Sequence, residues 1–129
     1  MSLENEYHGN ILETSFTNPR FVDQFQIFAK RKSPTNPWTM HGVAVPEEEI
    51  EKVITRVQEN LIPGGPYYAH FYRDDDLIVV FKERVFRVKP DKSTWNEVIE
   101  YGRSIGIPGE QLDFAPARFE DEKEYYERE

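Results

Sequence analysis

Three imidazoles, His8, His41 and His70, are the side chains best suited to chemistry in this chain, and no cysteine accompanies them. His70 lies inside the run Tyr67-Tyr68-Ala69-His70-Phe71-Tyr72, with Asp74-Asp75-Asp76 close behind it. Imidazole and carboxylate together are the donors that a zinc or iron site uses. An imidazole flanked by phenols can also orient a small ligand by hydrogen bonds. On an extended strand Tyr68, His70 and Tyr72 share one face, and Tyr67, Ala69 and Phe71 share the other. Lys82 ends the strand that returns from the aspartates, and His41 sits on a strand expected to run nearby. Tyr68, His70, Tyr72, Lys82 and His41 are therefore the candidate ligand-binding residues. An aspartate triplet between two strands is also what a solvated turn looks like, because Asp tolerates turn geometry. The pattern assigns no metal ligand, no catalytic residue and no cofactor.

Other chemistry finds little support. Glu47-Glu48-Glu49 resembles a carboxylate cluster, yet it opens a helix, where negative charge complements the positive end of the macrodipole. No serine sits in a Gly-x-Ser-x-Gly elbow. Gly64-Gly65 is not followed by the Gly-Lys-Ser/Thr of a phosphate-binding loop. The absence of cysteine removes disulfides and thiolate chemistry, and it suits a reducing compartment. With no apolar run of membrane-spanning length, a cytoplasmic protein is expected. The net charge is −8, and residues 110–129 hold eight carboxylates against three basic groups. Binding to nucleic acid or to an anionic membrane is disfavoured, since neutralising phosphates needs clustered Lys and Arg. The one basic run, Lys30-Arg31-Lys32, reads as a solvated strand end.

The elements that must position these residues follow from periodicity. The 129 residues suit one domain. Residues 1–9 read as a flexible leader, 10–114 as a single α+β domain, and 115–129 as an acidic tail, helical or disordered. Ile11 to Phe16 gives a weak first strand; Gln24 to Lys30 and Trp38 to Val45 give clearer ones around the loop Ser33-Pro34-Thr35-Asn36-Pro37. Ile50, Val53, Ile54, Val57 and Leu61 form a helical stripe, stopped by Pro63-Gly64-Gly65-Pro66. Strands follow at Tyr67–Arg73, Leu77–Phe81 and Val85–Val88, joined by tight turns. A second helix starts near Ser93 and Thr94 and stops at Gly106 before Pro108. The expected fold is a two-layer α+β domain in the order ββαβββα. Its mixed, mainly antiparallel sheet has five or six strands, with the two main helices on one face.

One feature strains that layout. Neither face of the hairpin Tyr67 to Phe81 is polar, whereas a sheet covered on one side alternates apolar and polar residues. The N-terminal strand or the C-terminal tail can cover the second face, a second copy can pair with it, or it can line a ligand pocket.

Three stretches, Tyr7-His8-Gly9-Asn10-Ile11, Tyr67 to Lys82, and Ser93-Thr94-Trp95 through Phe114, together resemble a family of small, uncharacterised bacterial and archaeal proteins of unknown function. The resemblance spans most of residues 7–114 and brings no activity with it. It implies that Tyr68-Ala69-His70-Phe71 packs near Gln111-Leu112-Asp113-Phe114, fastening the C-terminal segment beside the sheet. The leading expectation is a non-catalytic binding or protein-interaction domain, self-associating as a homodimer through its aromatic sheet face. The alternatives are a small-molecule-binding or metal-dependent enzyme built on His70 and its neighbouring tyrosines, and, more weakly, a single-stranded nucleic-acid binder.

Overall fold

The computed structural model describes residues 6–32, 39–109, 112–114 and 116–127. The expected loop at 33–37, Trp38, Glu110 and Gln111 fall outside these residues, as do residues 1–5. Six strands form one sheet: β1 (Glu6–Leu12), β2 (Gln26–Lys32), β3 (Thr39–Pro46), β4 (Tyr68–Arg73), β5 (Asp76–Phe81) and β6 (Val85–Val88). Their spatial order is β2-β3-β1-β4-β5-β6, and every pairing is antiparallel. Helix α1 (Ile50–Asn60) links β3 to β4, α2 (Asn96–Ser104) follows β6, and the short α3 (Glu122–Glu127) comes last. The α+β class read from the sequence holds.

Four details depart from expectation. The parallel pairing allowed by the α1 crossover does not occur, because β1 inserts between β3 and β4 and runs antiparallel to both. The first strand is Glu6–Leu12, not Ile11 to Phe16, and Glu13–Ser15 forms a 3₁₀ turn. Residues 6–9, expected in a leader, are thus buried in a central strand, where Tyr7, Gly9 and Ile11 alternate with Glu6, His8 and Asn10. Three strands precede α1, so the order is βββαβββα with α3 beyond it.

The last departure concerns the helices, which lie on opposite faces. Ile50, Val53, Ile54 and Val57 of α1 pack with Ile11, Val43, Val45, Phe71, Ile78 and Val80 on the first face. Trp95 and Val98, from the start of α2, pack with Leu77, Val79, Phe81 and Phe86 on the second, joined by Leu112 and Phe114. The cause is the hairpin β4–β5, which is apolar on both sides and is completed only by a helix on each. Each fully buried aliphatic or aromatic side chain contributes about 1.5–3 kcal/mol relative to exposure. Gly102 lets Leu112 seat against α2, since a Cβ there would stand 2.6 Å from Leu112 Cδ2.

Candidate functional site

Antiparallel register places directly opposed residues on one face. Two rows therefore cross the second face of the sheet. One runs Ala44, His8, Tyr72, Leu77, Val88; the next runs Gly42, Asn10, His70, Val79, Phe86. The face is apolar beneath α2 and becomes polar toward β1 and β3. The polar part is where residues 116–127 cross it.

His8, Asn10, His70 and Tyr72 on this face each meet that segment. His70 Nε2 lies 3.0 Å from the Pro116 carbonyl oxygen. A carbonyl only accepts, so Nε2 carries the proton and donates. Tyr72 donates its phenol to Glu122 Oε2, and His8 Nδ1 lies 2.5 Å from the same oxygen. His8 Nε2 faces Glu6 Oε2 at 3.7 Å. The His8 ring is stacked against Phe119 (centroids 4.1 Å apart) and, at 4.4 Å, against Phe28. Tyr126, one helical turn after Glu122, donates to Asn10 Oδ1 at 3.1 Å. Gly42 makes room for it: a Cβ at Gly42 would lie 2.8 Å from the Tyr126 hydroxyl and 2.9 Å from Phe28 Cζ. Outside this socket Arg31 of β2 lies over the Tyr125 ring at 4.8 Å.

Burial sets the protonation of these groups. His70 is buried among Tyr72, Phe114 and Pro116, and desolvation pushes its pKa down to about 4 against the opposing effect of the Pro116 carbonyl. It is a neutral donor at neutral pH. Burial, followed by the bond to Glu122, holds the Tyr72 phenol well above its ordinary range. Burial, then Asp113 and Tyr125, does the same for Tyr68. Burial, then Tyr125 and Glu122, raises Tyr126. Phenols held protonated in this way are hydrogen-bond donors and poor nucleophiles or bases. The arrangement anchors a peptide segment.

The five sequence candidates do not converge. Tyr68, His70 and Tyr72 share the second face, and Tyr68 meets Phe114 edge-on at 5.5 Å. His41 is directly opposite Ile11 in the register, so it lies on the other face and is separated from β4 by β1. His41 and His70 therefore do not meet. His41 is 6% exposed, and its Nδ1 has no hydrogen-bond partner among the described residues. Lys82 turns to α1, donating to the carbonyls of Gln58 at 2.9 Å and Glu59 at 3.4 Å, where its charge complements the helix C-terminus. Among the described residues no group of three or more His, Asp or Glu is placed to hold a metal ion. A cavity of about 280 Å³ lies between Trp95, Phe114 and Tyr125, with Asp113, Asp121 and Glu124 at its lining; none of the five candidates lines it. No helix among the described residues is long and apolar enough to cross a membrane.

Sequence reasoning named His8 among the three imidazoles but left it out of the candidate set, together with Asn10, Gly42, Phe119, Glu122 and Tyr126. Two signals mark them. Glu6, His8 and Asn10 recur with period two before Ile11, and Glu122 and Tyr126 stand four apart, on one side of a helix. Compared with protein-family models, with curated proteins and with solved structures, the chain matches none.

Proposed function

We propose that this chain is a non-catalytic binding domain whose second sheet face receives an acidic, aromatic peptide segment. In the isolated chain its own residues 116–127 occupy that face. The observation that carries this reading is the paired plug of α3. Glu122 enters between His8 and Tyr72, and Tyr126 enters over Gly42 onto Asn10. A segment that only completed a core would need an apolar stripe. Beside the apolar contacts of Ala117 and Phe119, this one is held by a carboxylate, a phenol and a main-chain carbonyl, groups with which a face distinguishes one segment from another. A second copy of this chain offers the same segment, so self-association takes the form of one copy's tail seated on another's face.

Fluorescence anisotropy with a labelled peptide of residues 112–127 tests the proposal. Against the full chain carrying Glu122→Ala, whose own segment has lost its central anchor, the peptide should bind saturably. Against the unaltered chain, where the face is filled, binding should be at least about tenfold weaker, a difference of ~1.4 kcal/mol. A peptide with Glu122 and Tyr126 both changed to Ala should fail on either chain. Equal binding by both peptides, or none by the variant chain, would refute the reading.

A further inference from the structure

The anchors of this segment include an imidazole with no counter-charge. His70 donates to the Pro116 carbonyl and is otherwise surrounded by Phe114, Tyr72, Asn10 and Val79. The ionisable groups packed around this contact come from every neighbouring element. On β4 they are Tyr68 and Tyr72; on β1, Glu6 and His8. Asp113 acts on Tyr68 from the segment before Pro116. From α3, Glu122, Tyr125 and Tyr126 act on Tyr72. Glu122 is committed to His8 and Tyr72, and Glu6 faces His8. No hydrogen bond or ion pair ties any of these carboxylates to His70 among the described residues.

We propose that residues 116–127 form a strap released by proton uptake at His70, so that mild acid uncovers the face that neutral conditions keep filled. This rests on the reading of that face as a binding surface. A positive charge on His70 is costly beneath the closed strap, because a buried imidazolium needs a counter-ion that the surroundings do not supply. Lifting the strap returns His70 to water, where an imidazole accepts a proton at about pH 6.5. The open form therefore binds one more proton than the closed form between that value and about 4. The ratio of open to closed rises about tenfold for each pH unit lost in this window. Release traces to His70, the imidazole that donates to the Pro116 carbonyl.

The chain has no cysteine, so a dye pair can be placed by Lys52→Cys on α1 and Lys123→Cys on α3, both exposed. Energy transfer in this otherwise full chain reads the strap, and far-ultraviolet circular dichroism reads the sheet. Between pH 7.5 and 4.5 the transfer should fall while the sheet signal stays, and His70→Gln, which keeps an N–H for Pro116 but cannot titrate, should abolish the fall. If that variant does not fold, the His70 ring in the unaltered chain supplies the same test by nuclear magnetic resonance, its titration coinciding with loss of transfer. An unchanged transfer at pH 4.5 would overturn the proposal, as would a fall that survives His70→Gln or one that coincides with loss of the sheet. The binding reading fails separately: an acid-opened strap whose uncovered face ignores the 112–127 peptide sinks that reading and leaves the switch, whereas peptide binding at neutral pH without acid opening does the reverse.

Discussion

His70 shows how one residue's surroundings decide its role. An imidazole among tyrosines on a strand invites a catalytic or metal-binding interpretation from types alone. In the folded chain its Nε2 meets a carbonyl, its ring meets Phe114, and its desolvation keeps it neutral. The stability consequence has a definite sign. The unfolded chain takes up a proton on this histidine near pH 6.5, whereas the folded one resists until about 4. For the strap-closed fold the stabilisation is complete above the higher value and is lost as pH falls through the window, by about 3 kcal/mol at most, since opening of the strap caps the loss. Urea unfolding at pH 7.5 and at pH 4.5 should show this loss in the unaltered chain. In His70→Gln the pH difference should shrink by that amount, and an equal difference in both chains would mean that other groups carry the acid sensitivity. Tyr72 and Glu122 act together in the same spirit, since the phenol stays protonated so as to donate to the carboxylate.

At the scale of elements, the parts most legible in the sequence were those with a strong period. The α1 stripe from Ile50 to Val57, the hairpin β4–β5 and the strand β6 lie where periodicity placed them. The start of α2 was read too early: the helix begins at Asn96, whereas Asp91 caps the 3₁₀ turn Lys92–Thr94 before it by accepting from the Ser93 amide, and Thr94 turns back to the Lys89 carbonyl. β1 was obscured for a physical reason. Its His8 and Asn10 look like solvent-facing residues until a distant segment supplies their partners, and pairing across more than a hundred residues leaves no local trace. The two-sided apolar hairpin did announce that the second face needed a cover. What it could not say is that α2 and the tail would share the task, because two short helices and a strand edge satisfy the same pattern in several ways. Gly42 belongs to this scale, since its missing side chain is what lets α3 dock. Gly42→Ala drives a methyl into Tyr126 and Phe28, an overpacking that costs about 1–3 kcal/mol. Because α3 is held on this face through the contacts of Glu122 and Tyr126, the cost should be relieved by lifting α3. Acrylamide quenching of tyrosine fluorescence should increase in this variant while the far-ultraviolet spectrum of the sheet is preserved. A cooperative loss of the whole sheet would show that α3 is integral to the core.

For the whole molecule, charge and architecture agree. The C-terminal segment, with eight carboxylates against three basic groups, holds most of the chain's net charge of −8, and its anchors lie on a face supplied by β1, β3 and β4 with Arg31 of β2 at its margin. One face of the sheet is closed by α1 chiefly through its buried apolar stripe, with Gln58 and Lys82 bonding across the helix C-terminal end. The other is closed partly by α2 in the same manner and partly by a segment held through hydrogen bonds to His8, Asn10, His70 and Tyr72. Two kinds of closure in one small fold imply two stabilities, because elements with few buried apolar contacts open at lower free energy than those that form the core. Amide hydrogen exchange of the full chain at neutral pH measures this most directly. The amides of α3 should exchange through an opening at least about 2 kcal/mol easier than that protecting β4 and β5, and Glu122→Gln should accelerate α3 while leaving β5 unchanged. Exchange of α3 at the same free energy as the central strands, with both accelerated together by Glu122→Gln, would make the segment a fixed part of the core and contradict its standing as the occupant of a binding face.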